Sequence, residues 1–476
     1  MRCLLVEDEK PRIDAILTRL EDLFGAGAVD VAEDRDTAIA FSTARHYDLI
    51  VLDQRIPSAP GQLNAHVDHG RAVLEHIRGE APHTAVYFLT ALPMEDDYID
   101  SIVAQGEKLD IYGDRKPSPL VLRFHKSKLD PFFVAVEGLT ATARITDDIE
   151  INTKGEVLGL AEDEARLIRC FGRLQGGICV DVEAISEGLS GARVLKADVK
   201  DNKGQVRMSA VGKLGKHADI ASEILRYEKE VVRLPSGTYA PLLPPSQPRV
   251  LARMGAFYRL LAGYDDTIFD VLRRSDNNAA ACVRALQAAE NDWGQQPVVK
   301  TAAVVEHTKL LIWEDRLPSI HGLLGEIDCA AFEAKRVSVN LCTRHGDLHG
   351  ENARVNADLR VMMLDYGSVD PLPSAIDAIT LELSPFFHPH GQRDLLTWTP
   401  NDGLIDWFDV ESFAALTLVP EYVKACRTWA HADAFGNREV LTCAYTYVLR
   451  QLQFKGADIE LARAMLPGII AQGLSQ

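Results

Sequence analysis

Between Met1 and about Glu137, short apolar runs alternate with segments of helical periodicity, and each run ends on polar residues. This alternation limits the fold more than any other feature. The runs "RCLLV", "DLIVLD", "TAVYFLT" and "LVLRF" have the length and polar boundaries of buried strands. Between them, "PRIDAILTRLEDLF" sets Ile13, Ile16, Leu17, Leu20, Leu23 and Phe24 at helical spacing, with Pro11 where a helix start tolerates it. "DTAIAFSTA" and "GRAVLEHIR" read as further helices. Strand and helix in turn give an α/β doubly wound sheet of parallel strands, in which ligands gather at the carboxyl ends.

The polar residues fall at those ends. Glu7 and Asp8 close the first run, Asp53 closes "DLIVLD", Thr90 closes "TAVYFLT", and Lys126 follows "LVLRF". Crowded carboxylates repel one another, so a divalent cation is their natural neutraliser, and an all-oxygen donor set favours Mg²⁺. A lysine and a hydroxyl beside it suit a phosphoryl oxygen.

In that order and placement, "VEDE", "LDQRIP" and "LTA" resemble the motifs of a response-regulator receiver domain, over residues 1–137. The resemblance implies a flavodoxin-like fold of five parallel strands. It also implies phosphorylation of Asp53 by a cognate histidine kinase or phosphotransfer protein, and Mg²⁺ held by Asp8, Asp53 and the Arg55 carbonyl. Three departures stand out. "SAPGQLNAHVDHG" inserts residues after Pro57, "FHKSKLD" lacks the usual proline and offers Lys128 as a substitute for Lys126, and Arg123 precedes Phe124 where an aromatic is usual.

The 476-residue chain is long enough for two or three domains, with 47% hydrophobic and 25% charged residues. A net charge of −18 argues against a nucleic-acid-binding surface. The eight cysteines are scattered with no C-x-x-C pair, which predicts free thiols in a reducing compartment. No run approaches the ~20 apolar residues of a membrane span, so the expectation is a cytoplasmic protein without membrane or nucleic-acid partners.

Residues 138–176 change character. "GLTATARITDDIEINTKGEV" is polar and β-branched, and "AEDEARLIRCFGRLQGG" reads as a helix with acids in its first turn. This stretch is expected to be a linker with a coupling helix, carrying a switch from the surface near Thr90 to a later glycine turn. Residues 177–262 then read as strands with turns at "EGLSGA" and "DNKG", followed by the helix "HADIASEILRYEKEVVRL". Gly188, Ser190 and Gly191 lie in the first turn, Lys213 on the third strand. Glu228 is grouped with Ile224, Leu225, Val231 and Val232 as the acid facing that lysine, with Glu223 the alternative. Residues 263–476 are mostly helical.

"RHGDLHGENARVNADLRVMMLDYGS" resembles the catalytic segment of the aminoglycoside phosphotransferase and choline kinase group, and "SAIDAI" its structural aspartate, here Asp377. The resemblance implies a two-lobed α+β kinase-like domain using ATP and Mg²⁺. In it Asp347 orients the acceptor hydroxyl, Asn352 and Asp365 hold the metal, and Lys213 contacts the α and β phosphates. Ser190 and Gly191 would lie in the phosphate turn, and His345 and His349 would order the loop. Late helices build the acceptor pocket in that group, so Asp402, Asp406, Asp409 and Glu411 are candidates to meet a cationic acceptor, although a solvated acidic face is the commoner explanation. The whole reads as a response regulator whose output is a phosphotransferase acting on an unidentified hydroxyl-bearing acceptor. A receiver-controlled scaffold with a nucleotide-binding pseudokinase is the competing reading, and a resistance enzyme has no evident need for a receiver.

Overall fold

The computed structural model describes residues 1–91, 108–154, 158–187, 192–243 and 250–476. The chain divides into two compact units, Met1–Ala221 with Leu242–Arg259, and Ser222–Pro241 with Leu260–Gln476.

The first unit opens with five parallel strands, β1 (Cys3–Val6), β2 (Val29–Ala32), β3 (Leu49–Leu52), β4 (Ala85–Thr90) and β5 (Val121–His125), in the order β2-β1-β3-β4-β5. That is the flavodoxin-like doubly wound order. Four described helices flank it: α1 (Lys10–Phe24), α2 (Arg35–Ala44), α3 (Val67–Glu80) and α4 (Leu129–Asp147). Because strand side chains alternate, Leu5, Val51 and Tyr87 pack with Phe132 and Val136 on one face, while Leu4, Ile50 and Phe88 pack with Val73 and Ile77 on the other.

Two features differ from the expected boundaries. Helix α4 runs to Asp147 rather than ending near residue 137. Its second half is β-branched, yet Leu139, Thr140, Ala143 and Thr146 are buried, so tertiary packing overrides local propensity. Two residues after α4 the chain forms β6 (Glu150–Thr153), which pairs in parallel with β7 (Cys179–Glu187). With β8 (Arg193–Lys200), β9 (Val206–Lys216) and β10 (Arg253–Arg259), these strands make a second sheet in the order β10-β9-β8-β7-β6. The stretch 138–176 is therefore built into structure on both sides and is not a linker.

Helix α5 (Glu162–Leu174) joins the two sheets. One face, Leu167, Ile168 and Phe171, enters the core of the second sheet, where Phe171 stacks on Phe257 at 3.9 Å between ring centres. The other face meets the receiver. Arg166 bonds Asp48 at 2.8 Å and also pairs with Asp147. Arg173 donates to Thr146 Oγ1 at 2.8 Å, and Arg115 donates to the Leu174 carbonyl at 2.9 Å. Gly113, at φ +71°, lies so close that a Cβ would stand 2.2 Å from the Cys170 carbonyl oxygen. Asp48 directly precedes β3, at the end opposite Asp53. The contact of α5 with the receiver is thus at the amino ends of the strands, not at the expected surface near Thr90. Gly188, Ser190 and Gly191 lie outside the described residues.

In the second unit, β12 (Val298–Ala303), β13 (Arg336–Arg344) and β16 (Asp370–Pro373) form one antiparallel sheet, while β11 (Asp266–Thr267), β14 (Ala353–Val355) and β15 (Val361–Met363) form another. Around them lie the long helices Asp276–Ala289, Ile376–Phe387, Pro420–Asp433, Asn437–Gln451 and Ile459–Ser475. Trp407, Phe413, Trp429 and Tyr445 are buried, and Phe408 is half-buried. Arg427 grips the buried Glu382 through two nitrogens, at 2.7 and 3.0 Å.

Replacing Arg166 by methionine leaves Asp48 buried without its cation. Breaking a buried pair this way costs about 3–5 kcal/mol, read as a lower urea midpoint. Burial would raise the Asp48 carboxyl, but Arg166 outweighs it and holds the group below the usual aspartate range. A depressed carboxyl stabilises the fold fully above its unfolded value, about pH 4, and loses that contribution as pH falls through the depressed one. The acid-unfolding limb should therefore flatten in the variant, and an unchanged limb would show that this pair is not responsible.

Candidate functional site

The first constellation lies at the carboxyl ends of the receiver strands. Glu7 follows β1 and Asp53 follows β3, and the amide of Asp53 donates to the Val6 carbonyl at 2.9 Å, so the two strand ends are tied directly. Glu7, Asp8 and Asp53 each offer an oxygen within 4.8 Å of the others. The Lys126 ammonium bridges two of them, 2.6 Å from Glu7 Oε2 and 2.7 Å from Asp53 Oδ2. Its backbone amide donates to the Thr90 carbonyl, which fixes the lysine beside the end of β4. Thr90 is buried, whereas Lys128 is exposed at the start of α4. Lys126 is thus the lysine that lies among the acids.

Burial raises the Glu7 and Asp53 carboxyls, and Lys126 offsets only part of the effect. Asp8 is also raised, chiefly by burial. Ionising all three carboxyls together is penalised by burial, a penalty that an oxygen-seeking cation would relieve. Gly70 on α3 permits this packing, since a Cβ there would stand 2.4 Å from the Gln54 carbonyl oxygen. The inserted loop after Pro57 is pinned at its base, where His66 donates its amide to the Ile56 carbonyl at 3.1 Å. Phe124 packs against Tyr87 and Phe132, on the face of β5 opposite Arg123.

The second constellation follows β13. The His345 and Gly346 amides donate to Asp377, at 2.6 and 2.8 Å, so a fully buried carboxylate holds the loop. Gly346 has φ +75° and a Cβ there would meet the Ser368 carbonyl oxygen at 2.6 Å, so only glycine fits. The Asp347 carbonyl accepts from the His349 amide and from Asn352 Nδ2, both at 2.9 Å, which leaves Asn352 Oδ1 for another partner. In the β14–β15 hairpin, Leu364 donates to the Asn352 carbonyl at 2.8 Å, bringing Asn352 beside the residue before Asp365. Asp365 is held at φ +59°, a left-handed conformation costing a non-glycine residue roughly 1–2 kcal/mol. His345 Nε2 bonds the Leu364 carbonyl at 2.8 Å and orders the loop.

One partner of Asp347 escaped the sequence reading. Arg450, in the last turn of Asn437–Gln451, stands 3.1 Å from Asp347 Oδ1 and donates to the Gly346 carbonyl at 2.7 Å. Burial would raise the Asp347 carboxyl, but Arg450 and then the nearby histidines outweigh it and keep the group ionised. A basic residue in a final helical turn is common, so spacing alone does not reveal it. Beside the loop His349 stacks on His388 at 4.4 Å, and His390 Nδ1 bonds Glu351 at 2.8 Å.

Other expected residues fall elsewhere. Lys213 is half-buried on β9, opposite Ala256 and Val194. Glu228 is exposed, which corrects its expected place, and Glu223 is the buried acid of helix α6 (His217–Lys229). The error is one of periodicity: the α-helix ends at Lys229, a tighter turn follows at Val231–Arg233, and Leu225 and Val232 are exposed. Asp402 and Asp409 cap short helical turns through Thr399 and Ser412, Asp406 is exposed, and Glu411 pairs with Lys424 at 2.7 Å. These four make local surface contacts.

No family model matches the chain. A 102-residue stretch is 32% identical to the transcriptional regulatory protein DltR of Streptococcus agalactiae serotype III (strain NEM316), covering 21% of this chain and 41% of that protein. The chain thus spans less than half the length of that relative. Among solved structures, a thermostable mutant of aminoglycoside phosphotransferase APH(4)-Ia with ADP and hygromycin B aligns at 11% identity, over 64% of this chain and 93% of its own, with a TM-score of 0.34. Choline kinase LicA from Streptococcus pneumoniae aligns at 11% identity over 62% and 93%, with a TM-score of 0.32. NtrX from Brucella abortus aligns at 19% over 37% and 35%, with a TM-score of 0.21. The chain thus has a five-stranded parallel sheet in the receiver-like order, and over most of its length aminoglycoside phosphotransferase and choline kinase structures align with it at low identity. Among the described residues no helix is long and apolar enough to cross a membrane.

Replacing Arg450 by methionine should move the Asp347 titration to higher pH, followed by carbon-13 NMR of its carboxyl. An unchanged midpoint would assign the depression to the histidines instead.

Proposed function

We propose that the protein is a response regulator whose output is ATP- and Mg²⁺-dependent transfer of a phosphoryl group to a hydroxyl acceptor, controlled by phosphorylation of Asp53. The observation that carries the reading is the loop 345–352: Asp347 kept ionised beside Arg450, Asn352 locked to its carbonyl, and Asp365 adjacent through the hairpin.

In this reading Asp347 accepts a hydrogen bond from the acceptor hydroxyl and takes its proton as the new oxygen–phosphorus bond forms and the bond to the ADP leaving oxygen breaks. Its depressed carboxyl suits an orienting role, since it stays ionised at neutral pH. Arg450 fixes its rotamer. Asn352 Oδ1 and the Asp365 carboxylate are the hard oxygen donors that Mg²⁺ prefers, and bound there the ion would neutralise phosphate charge. Lys213 is the residue assigned to the α and β phosphates.

In the receiver, Glu7, Asp8 and Asp53 offer the same hard donors, Asp53 is the nucleophile toward the phosphodonor's phosphorus, and Lys126 is positioned to meet the resulting phosphoryl oxygens. The cognate donor is a histidine kinase or phosphotransfer protein. Strand β3 supplies a continuous route from Asp53 to Asp48, and Arg166 carries that end into α5 and the second sheet. Phosphorylation activates by shifting these packed elements between two arrangements, and coupling of ~1–3 kcal/mol corresponds to roughly 5- to 150-fold.

Asp347→Asn should spare ATP binding and reduce transfer on the order of 10²-fold or more, whereas Asp365→Ala should remove Mg²⁺-dependent nucleotide binding. Labelled ATP with a panel of acceptors, and calorimetry for binding, separate the two. Equal loss of affinity in both variants would reverse the assigned roles, and unimpaired transfer by Asp347→Asn would sink the enzyme reading.

Beryllofluoride, a phosphoryl mimic, should raise turnover of the full chain and leave Asp53→Ala unaffected. If parent and variant respond alike, the receiver does not regulate catalysis.

A further inference from the structure

Beside the catalytic loop, His349, Glu351 and His388 each offer one donor atom within 4.8 Å of the other two, and all three side chains are half-buried. None of the three is needed for the proposed roles of Asp347, Asn352 or Asp365. From these residues we propose a transition-metal site of the Zn²⁺ class, formed by His349, Glu351 and His388, separate from both Mg²⁺ positions.

The donor set decides the class of metal. Two imidazoles and one carboxylate suit Zn²⁺, Co²⁺ or Ni²⁺, whereas Mg²⁺ prefers oxygen alone. Zinc at about 2.0–2.1 Å from each donor needs donors roughly 3.4 Å apart, which the cluster reaches through small side-chain rotations. The rings are already brought together: His349 and His388 stack at 4.4 Å with 27° between planes. His349 Nδ1 is buried and makes no hydrogen bond, so a donor atom stands with its capacity unused. His388 Nδ1 accepts from the His390 amide at 3.2 Å, a long contact that a metal readily displaces.

An outer layer is also present. His390 Nδ1 bonds Glu351 Oε1 at 2.8 Å and orients the carboxylate, as outer partners do for metal ligands. Three protein ligands leave at least one coordination position open to water or another oxygen donor. His349 Nε2 stands 4.0 Å from Asp347 Oδ2, so the ion would add positive charge near that carboxylate. The site needs only these side chains and does not depend on phosphoryl transfer.

The test titrates the full-length protein with Co²⁺ in excess Mg²⁺, which keeps the receiver carboxylates occupied. A one-to-one complex is expected, with the visible absorption of four- or five-coordinate cobalt and displacement by Zn²⁺. His388→Ala and Glu351→Gln should each weaken binding by more than ~10-fold, and His390→Ala by about 10-fold. Circular dichroism establishes that the variants fold, and the volume-conserving Glu351→Gln serves if His388→Ala does not. Absence of the visible band in the parent overturns the proposal. So does parental affinity in folded Glu351→Gln, or a sulfur-to-cobalt charge-transfer band, which would place the ion on a cysteine.

Discussion

The arrangement of the first unit rests on one buried guanidinium. Arg166 enters the base of the receiver sheet and meets Asp48 and Asp147, two acids far apart in sequence, while its own helix packs its apolar face into the second sheet. A buried charge with a single partner is costly, and the attraction repays desolvation only with good geometry and further hydrogen bonds. Here the Asp48 carboxylate also accepts the Arg2 amide at 2.9 Å, so its second oxygen is satisfied. The same carboxylate stands at the start of the strand that ends at Asp53. One ion pair therefore touches the beginning of the receiver's central strand and the helix supporting the next sheet.

The loop of the second unit follows a related logic with the roles inverted. There the buried anion Asp377 holds two backbone amides, and the half-buried anion Asp347 is left facing a cation. A carboxylate already bonded to the backbone sets the turn, and a second one, within the turn itself, remains available for chemistry. The left-handed Asp365 belongs to the same design, since sparsely populated backbone conformations persist where neighbouring structure enforces them.

Much of this was legible in the sequence because the strands of a doubly wound sheet are nearly continuous apolar runs, and the polar residues at their ends lie together. Glu7, Asp8, Asp53, Thr90 and Lys126 converge for that reason alone. The loop motif was equally readable, since its spacing is local. What the sequence hid was long-range or depended on where an element stops. Glu228 was misplaced because the helix ends at Lys229 and the later apolar residues no longer share its face. The end of α4 was obscured by threonines whose burial, not propensity, makes them helical. Arg450 and Asp347 are separated by about a hundred residues, and no periodicity relates them.

The passage from α4 into β6 takes two residues, and it has a consequence for how such a molecule can arise and vary. Domains joined by a tether can be exchanged by recombination, because a cut in the tether leaves two complete bodies. Here the seam is an edge strand, hydrogen-bonded in parallel to its neighbour. A cut before it leaves that strand's sheet without its receiver neighbour, and a cut after it takes the strand away. Only the second product exposes new backbone groups, along β7, that water or another chain must satisfy. A viable break between the two parts is thus confined to the two residues before β6.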